Sequence, residues 1–589
     1  MESFPANGGG PAPSVAEDPA LGLTQREKLE ILGAVLLGLF LVALDQTIVG
    51  TALPRIVTDL GGNDLYTWVV TIYLLTSTIT VPFYGKLSDL YGRRPMIMIG
   101  ITLFLVGSVL SGLSQSMWQL ILFRGIQGLG AGALFPIALA VIGDLFTPAE
   151  RGKYQGLFGA VFGISFLIGP GLGGFLTDNV SWHWIFFVNV PVGIVSLFVI
   201  WRLLPTIKRT GASRNFDYLG ALIFTVAIGF LLVGLTNKAG THLVDGLKVP
   251  NDWSELTVGG FILIGLIGSA LFAFVESRAK EPIVPLDLWR NRTYATSILS
   301  TFLVSFGFFG AIIFLPRWFQ VVRHESATNS GYLIFPMLIG LIGSSIIAGA
   351  LVSRTGKYKA IIIAALVAMT AGIALMTQLR ADTEYPALFF WMFVAGVGIG
   401  PTLSVFTIVV QNAVPFSKLG VATSNLTFFR QIGGSVGLAI AGTLFGQGLT
   451  DKLQPALTPV FGQALATATP EQQVALGGFL QSPALRNIDL NDLTGVGKSF
   501  GTAILNQAPA SVHPLIQPLV PQLDGAFANA MSLAIAQTFW LGVAAAALAT
   551  VVALFMRELP LRSTRGAPAA SPVQAGEAER PRPAVPAAD

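Results

Sequence analysis

Fourteen apolar segments, each long enough to cross a lipid bilayer as a helix, recur along the 589-residue sequence. A hydrocarbon core about 30 Å thick needs about 20 apolar residues per helix. Backbone amides in that core must be bonded internally, which strongly restricts the possible folds. The segments therefore predict an all-α polytopic membrane protein. They lie roughly at 31–53, 65–84, 95–113, 117–140, 154–177, 184–204, 217–236, 257–275, 294–315, 329–352, 359–378, 386–410, 424–446 and 529–556.

The distribution of basic residues predicts the orientation. With an even number of spans both tails lie on one side, where the short connections hold about 17 Lys and Arg residues against about 6 on the other side. Positively charged loops stay in the cytoplasm, so both termini are predicted to be cytoplasmic and the protein to lie in the inner (plasma) membrane. The net charge of +4 is small for this length and predicts no nucleic-acid partner. Cysteine is absent, which excludes disulfides and thiolate metal sites, and no metal or cofactor is expected.

An internal repeat divides the chain into two halves. Gly128–Gly132 recurs as Gly396–Gly400, and at the same offset Gly152 aligns with Gly420. Parallel repeats of this kind are typical of secondary transporters. The repeat predicts two six-helix bundles plus two inserted helices. The predicted parts are a disordered cytoplasmic tail (1–28), the first bundle (29–204), a linker with the two extra spans (205–292), spans nine to thirteen of the second bundle (293–446), a long extracellular loop (447–528), the last span (529–556) and a disordered cytoplasmic tail (557–589).

Three charged residues lie inside apolar segments, where a charge is costly. Such residues mark a substrate pathway or a proton relay by default. Asp45 in the first segment and Arg124 in the fourth are predicted to pair, and protonation of Asp45 would weaken that pair. A purely structural ion pair is the alternative interpretation. For Arg430 in segment thirteen, a structural and a functional role fit the sequence equally well.

A second charge cluster is predicted at the cytoplasmic face. Asp89 and Arg93 are one helical turn apart in the hairpin between segments two and three, and Asp144 ends segment four on the same face. Together they are suited to latching the two halves in one conformation. Ordinary anchoring of basic residues at the headgroups is the simpler alternative.

Small residues surround a proline in segment five, at Gly169, Pro170, Gly173 and Gly174. Such residues let helices approach closely, so packing alone explains them. A substrate cavity is predicted between segments one, four, nine and twelve, although lipid-facing or packing roles are more common for any single aromatic residue. The candidate cavity residues are Gln46, Gln127, Phe306, Phe309, Asn425 and Arg430.

Four stretches together resemble known sequence motifs of the major facilitator superfamily. Leu44–Pro54 is similar to the first-helix motif of its fourteen-helix drug:proton antiporters, the quaternary-ammonium and multidrug exporters, except that Gly50 replaces the usual Asn. Gly85–Arg94 resembles the superfamily's hairpin motif. Arg124–Gly132 resembles its helix-four motif, and Gly169–Gly174 resembles the helix-five motif of its exporters. The resemblance covers about residues 28–446 and 529–556.

This resemblance implies roles for five charged residues. Asp45 and Arg124 would couple transport to protons, and Asp89, Arg93 and Asp144 would form a gating cluster. The implied function is proton-coupled efflux of hydrophobic or cationic drugs by a monomer that alternates access to its cavity. The implied partners are the bilayer, a small-molecule drug or lipid, and protons.

Other functions remain open at this stage. One is export of an endogenous lipid, siderophore or antibiotic on the same fold. Another is a non-transporting membrane sensor or scaffold, which would not need Asp45 and Arg124. An enzyme is not predicted, because the spans contain no nucleophile–base or metal constellation.

Overall fold

The computed structural model describes residues 23–61, 65–205, 217–238, 240–244, 247–279, 281–481 and 499–561. The first half of this chain is a bundle of helices that pack side by side. Its elements are α1 (Gln25–Leu60), α2 (Tyr66–Tyr91), α3 (Arg93–Gly112), α4 (Met117–Leu145), α5 (Pro148–Asn179), α6 (Trp184–Phe187) and α7 (Asn189–Leu203).

Two further long helices follow, and then the second half. The inserted part contains α8 (Tyr218–Lys238), β1 (Thr241–Val244), β2 (Leu247–Pro250) and α9 (Phe261–Glu276). The second half contains α10 (Arg292–Val322), α11 (Ala327–Leu333), α12 (Phe335–Thr355), α13 (Lys359–Met376), α14 (Tyr385–Ala413), α15 (Leu419–Thr467), α16 (Pro470–Gln481), α17 (Phe500–Gln507), α18 (His513–Ile516) and α19 (Val520–Leu554).

The described residues contain fourteen spans that are long and apolar enough to cross a membrane, with α6–α7 and α11–α12 each forming one span. The predicted helical polytopic fold is confirmed. One local element was not predicted: β1 and β2 pair as an antiparallel hairpin between α8 and α9, with Thr241 opposite Pro250. Pairing of the two strands satisfies backbone hydrogen-bonding groups of this connection.

The inserted helices pack between the two halves rather than apart from them. The Phe224 ring of α8 lies 5.5 Å from the Phe83 ring of α2 and 5.2 Å from the Phe428 ring of α15. It also contacts Phe272 of α9, at 5.1 Å between ring centroids. Aromatic pairs of this geometry add stabilisation beyond the area that they bury. Therefore α8 and α9 cover one side of the contact between α2 and α15.

Helix α1 begins within the segment predicted to be a tail. Thr24 and Glu27 form a capping box, in which the Glu27 backbone N–H donates to Thr24 Oγ1 at 3.3 Å and the Thr24 N–H donates to Glu27 Oε2 at 2.8 Å. Such a pair satisfies two backbone donors that a helix start leaves free. The first turn of the helix thus occupies positions predicted within 1–28, of which 1–22 lie outside the described residues.

The first residues of the predicted C-terminal tail bond to the second half. Tyr358, just before α13, donates its hydroxyl to the Arg557 carbonyl and accepts from the Leu559 backbone N–H. Burial raises the pKa of Tyr358 to about 12, so the hydroxyl keeps the proton that it donates. Asn412, at the end of α14, donates to the Pro560 carbonyl at 3.1 Å. Residues 562–589 of this tail lie outside the described residues.

The predicted boundaries of the long extracellular loop differ from the helix ends in the structure. Helix α15 continues past 446 to Thr467 with Pro455 and Pro459 inside it, and α19 already begins at Val520. Hydropathy marks where a helix leaves the apolar layer, and a helix can continue into water beyond that point. Between these ends the described part of the predicted loop contains α16 and two shorter helices, while residues 482–498 lie outside the described residues.

The repeated glycines hold equivalent places in the two halves. The outer glycines of Gly128–Gly132 lie against α2, and the central one lies against α3. Correspondingly, the outer glycines of Gly396–Gly400 lie against α12, and the central one against α13. A Cβ atom at Gly130 would be 2.3 Å from the backbone nitrogen of Phe104, a distance that no side chain tolerates. The motif therefore lets one helix pack closely against two neighbours at once.

The repeat also produces the contacts between the two halves. A Cβ atom at Gly349 of α12 would lie 2.0 Å from the Gly152 carbonyl oxygen of α5. A Cβ atom at Gly85 of α2 would lie 2.0 Å from Ser424 Oγ and 3.2 Å from the Gly420 carbonyl oxygen of α15. In the sequence the stretch that begins at Gly85 matches the stretch that begins at Gly349, at a slightly different offset, and Gly152 aligns with Gly420, so the two contacts are equivalent. We call this pair of contacts the seam; it lies on the side of the molecule at which α1 begins.

Candidate functional site

Three polar side chains meet in the interior of the first half. Asp45 of α1 and Arg124 of α4 form an ion pair, with 2.6 Å between Asp45 Oδ2 and Arg124 Nη1. Gln127, one turn along α4, donates from Nε2 to Asp45 Oδ1 at 2.8 Å and accepts from Arg124 Nη1 at 2.7 Å. All three side chains are almost completely inaccessible to solvent. The predicted pairing of Asp45 with Arg124 is present in the structure, while Gln127, predicted in the cavity, belongs to this cluster.

Groups from two further helices hold the arginine in place. The Arg124 Nε–H donates to the Val69 carbonyl of α2 at 3.5 Å, and the guanidinium lies over the Tyr73 ring, 4.2 Å from its centroid. Stacking on an aromatic face stabilises a buried cation. The Phe186 ring of α6 lies on another side at 5.9 Å. Arg124 is thus fixed by α2, α4 and α6, while its charge is compensated from α1.

The chemistry of this cluster depends on the charge of Asp45. An ionised carboxylate accepts both bonds that it receives, one at each oxygen. A protonated carboxyl group carries an O–H donor on one oxygen, which then faces the donor of Arg124 or Gln127. Loss of one bond, together with loss of the charge, would free the guanidinium and leave it uncompensated in the interior. Protonation of Asp45 would therefore change the hydrogen bonding of the site.

The second predicted cluster assembles on the side where α1 begins. Arg93 pairs with Asp89 Oδ1 at 2.7 Å from Nη1 and with Asp144 Oδ2 at 2.8 Å from Nε. Its Nη1 also donates to Ser88 Oγ at 2.6 Å. The three charged side chains are at most 7% exposed. The structure thus brings together the three residues predicted for a gating cluster.

This cluster reaches across to the second half. Asp89 Oδ2 accepts a hydrogen bond from the Val421 backbone N–H at 3.0 Å, in the first turn of α15. A carboxylate at this position is stabilised by the partial positive charge of a helix N-terminus. Gly420 makes room for it, because a Cβ atom there would be 2.4 Å from Asp89 Oδ1 and from Arg93 Nη1. The bond to α15 exists only while the seam is closed.

Removing one charge from the cluster gives a first prediction. We expect Asp144→Asn to lower the transport rate about tenfold, because a buried hydrogen bond between charged groups is weakened and the Arg93 guanidinium loses part of its compensation. Uptake into proteoliposomes is the measurement. Asp287→Asn is the matched control: Asp287 pairs with Lys418 on the same side of the molecule, but both side chains are more than a third exposed. An equal effect of the two substitutions would contradict a specific role for the cluster.

The glycine and proline motif of α5 lies where three helices meet. Cβ atoms at Gly169 and Gly173 would be 2.0 and 2.2 Å from the hydroxyls of Thr47 and Thr51 in α1. Pro170 contacts the other half. A Cβ atom added to Gly331 of α11 would lie 2.9 Å from the ring of Pro170.

Gly174 lies on the face of α5 that also carries Pro170 and faces α11. A Cβ atom there would be 3.3 Å from Thr328 of α11. Through this motif, one face of α5 packs on α1 and another face packs on the second half. The α1 residues that it contacts, Thr47 and Thr51, follow Asp45 closely in the sequence.

The structure separates the remaining predicted cavity residues. Gln46 is exposed. Phe306 and Phe309 pack against Gly437 and Gly434 of α15, where added Cβ atoms would lie 2.9 Å from Phe306 Cγ and 2.5 Å from Phe309 Cδ2, so both rings take part in helix packing.

Two of the predicted residues lie on α15. Asn425 is buried and donates to the Tyr294 hydroxyl at 3.0 Å. Arg430 lines a narrow cavity together with Phe308, one of the four phenylalanines of this span that the sequence offers for a hydrophobic pocket. The four-phenylalanine pattern at 302–309 was the available signal, but it does not show which ring faces inward.

Two repeated halves of membrane helices, with a buried ion pair in one half and a charged contact across the seam, define a membrane transporter. The sequence model of the Major Facilitator Superfamily matches residues 35–438. The chain belongs to this family and is a multi-pass transporter rather than an enzyme, as predicted from its motifs.

Two curated relatives match nearly the whole chain. Multidrug transporter protein MdtP of Bacillus subtilis (strain 168) is 36% identical over 545 residues, covering 92% of this chain and 95% of the relative. Multidrug resistance protein 3 of the same organism is 34% identical over 540 residues, covering 91% and 96%. The fold also matches the crystal structure of a bacterial homologue of the human lysosomal transporter Spinster, with a TM-score of 0.51 and 17% identity over 91% of this chain and 98% of that one.

Proposed function

We propose that this protein is a proton-coupled exporter of drug-like small molecules that works by alternating access. The observation that carries the proposal is the buried cluster of Asp45, Arg124 and Gln127, in which one proton on Asp45 would remove the charge of the ion pair and one of the two hydrogen bonds to the carboxylate. The similarity to a multidrug transporter and to a multidrug resistance protein supports drug-like molecules as the substrate class. The buried cluster supports the proton as the coupling ion.

In this scheme, Asp45 binds a proton from the outer side and releases it towards the cytoplasm. When Asp45 is ionised, α1 is tied to α4 through Arg124. Protonation weakens that tie, and α1 then moves relative to α4 and to α5, against which it packs through Thr47 and Thr51. Motion of α5 is transmitted to α11 of the second half because Pro170 and Gly174 contact it.

The cluster of Asp89, Arg93 and Asp144 would stabilise the state in which the seam is closed. Its bond to the Val421 N–H must break when the halves part on that side. With both termini in the cytoplasm of the cell and the protein in the plasma membrane, the seam is the cytoplasmic gate. The state in which it is closed would then be the state that releases substrate to the outside.

The proton gradient supplies the driving force, so no cofactor is required and a monomer is sufficient. One elementary charge that crosses a potential of 100 mV contributes about 2.3 kcal/mol. Because about 1.4 kcal/mol corresponds to a factor of ten, one proton sustains a concentration ratio of roughly fifty. Exchange of one proton for one neutral molecule is thus enough for useful efflux.

Everted membrane vesicles test the proposal. Respiration acidifies the vesicle interior, a trapped fluorescent probe reports the internal pH, and lipophilic drugs and dyes are added outside. We expect vesicles with the protein to lose internal protons when a substrate is added, and vesicles without it to show no response. Accumulation of a compound with no change in internal pH would disprove proton coupling and leave the transport function standing.

The same panel separates the other functions. Proton release on addition of a lipid, siderophore or natural antibiotic, but of no synthetic drug, would identify an exporter of endogenous compounds. No accumulation of any compound by folded, inserted protein would favour a sensor or scaffold and overturn the proposal.

A further inference from the structure

Arg430 is a buried cation that has no acidic partner in the part of the chain that the structure describes. It lies in α15, is 8% exposed, and its Nη2 has no hydrogen-bond partner within that part. Its guanidinium faces the Phe135 ring of α4, in the other half, at 5.7 Å from the ring centroid. Arg124 is in a contrasting situation, because it has a carboxylate, an amide and a carbonyl as partners. A guanidinium that is buried without a counter-charge is costly.

The cavity beside Arg430 has a polar and an apolar wall. Thr301 and Ser305 of α10 and Thr402 of α14 line it together with Arg430. The Thr301 hydroxyl is buried and, like the arginine Nη2, has no hydrogen-bond partner among the described residues. Two unsatisfied polar groups thus border one cavity.

The first half supplies aromatic rings opposite the guanidinium. Phe135 of α4 has the rings of Phe158 and Phe162 of α5 at 5.8 Å each. Phe135 faces Arg430 across the contact between the halves, and the other two rings pack against Phe135. Such a group of rings accommodates the body of an amphipathic molecule, with its polar group directed towards α15.

From these contacts we propose that Arg430 binds the anionic group of an exported amphipathic molecule, a carboxylate or a group of similar geometry. A planar guanidinium offers two parallel N–H donors, which match a carboxylate. The Thr301 hydroxyl supplies a third donor, and the phenylalanine rings pack on the apolar body. This inference rests on the proposed export function and specifies its substrate class as molecules with an acidic group.

The cavity in the present conformation has a volume of only about 10 Å³, far less than the roughly 300 Å³ at which drug-sized pockets begin. Phe135 and Arg430 belong to different halves, so the cavity widens when the halves part on either side. The bound anion then takes the position opposite Arg430 that Phe135 occupies here.

Equilibrium binding to the purified full-length protein in lipid nanodiscs tests the inference, with rhodamine B and its ethyl ester as probes. The two dyes share one ring system, and esterification masks the carboxylate. We expect wild-type protein to bind rhodamine B at least about tenfold more tightly than the ester, measured by fluorescence anisotropy. Arg430→Gln should weaken rhodamine B binding at least about tenfold and leave ester binding within about twofold.

Two further variants make the result specific. Arg430→Lys keeps the positive charge and should therefore keep a preference for rhodamine B over the ester. A purely structural role of the guanidinium would not produce this preference. Arg317→Gln removes another arginine of the second half, whose guanidinium lies 5.4 Å from the Phe445 ring, and should leave both affinities unchanged.

Three results would overturn the inference: no preference of the wild type for rhodamine B, an unchanged preference in Arg430→Gln, or equal loss of both dyes in that variant. Binding at equilibrium needs no proton gradient, so failure of proton coupling does not affect the outcome. Conversely, substrate-dependent proton release from vesicles would stand even if Arg430 did not recognise an anion.

Discussion

Asp45→Asn is expected to reduce substrate-dependent proton release from everted vesicles by at least about a hundredfold, because the amide cannot carry the proton. The substitution also imitates the protonated carboxyl group. Arg124 and Gln127 donate to different oxygens of Asp45, and in Asn one of these two positions becomes an NH2 donor that faces the donor of Arg124 or Gln127. Substrate binding, measured on the purified variant, should remain within a few fold of the wild type.

Asp59→Asn provides the matched control on the same helix. Asp59 pairs with Arg55 at 3.3 Å, but both side chains are more than a third exposed, and such surface pairs contribute little. This variant should release protons like the wild type. Undiminished proton release by Asp45→Asn would exclude Asp45 as the proton carrier. Equal loss in both variants would show that the defect lies in insertion or stability rather than in coupling.

The amino-acid sequence predicts the pairing of Asp45 with Arg124 for a simple physical reason. Two opposite charges that are embedded in apolar helices have few stable alternatives to each other. The position of Gln127 in this cluster was harder to predict from the sequence, although Gln127 follows Arg124 by one helical turn. An uncharged amide is tolerated in a cavity wall as well as in a buried cluster, so only the packing of α1 against α4 decides between them.

The helices themselves were predictable because lipid requires long apolar stretches, and the glycine repeat predicted that the halves are equivalent. The direction in which each phenylalanine ring of α10 points was not predictable. Phe306, Phe308 and Phe309 cover more than half of a helical turn, and a uniformly apolar helix carries no polarity signal for its rotation. The structure turns Phe306 and Phe309 to glycines of α15 and Phe308 to the cavity of Arg430.

The ends of helices that continue beyond the membrane could also not be predicted from the sequence. α15 remains helical for about 20 residues after the predicted end at 446, although Pro455 and Pro459 lie within it. Its continuation is stabilised by tertiary contacts of buried apolar residues such as Phe461 and Ala464, which a local hydropathy average cannot detect.

The seam leads to the second large prediction, in which Gly349→Val is expected to reduce transport at least about a hundredfold. Any Cβ atom at this position would be 2.0 Å from the Gly152 carbonyl oxygen, and a β-branched side chain cannot move away from it. Overpacking costs up to about 3 kcal/mol, which shifts the equilibrium away from the closed seam by about a hundredfold. Gly343→Val on the same helix is the control, because nothing lies within 4 Å of a Cβ atom there.

Cross-linking separates a seam that cannot close from a protein that cannot fold. The chain has no cysteine, so a pair introduced at Gln155 and Gln411, which bond across the seam at 2.8 Å, reports on closure without background. A short bifunctional thiol reagent should link this pair in otherwise unchanged protein and in Gly343→Val, and should fail to link it in Gly349→Val. Both glycine variants should still bind substrate, since the seam is remote from Arg430 along α15. Efficient cross-linking and transport by Gly349→Val would mean that the halves close without the contact between Gly349 and Gly152.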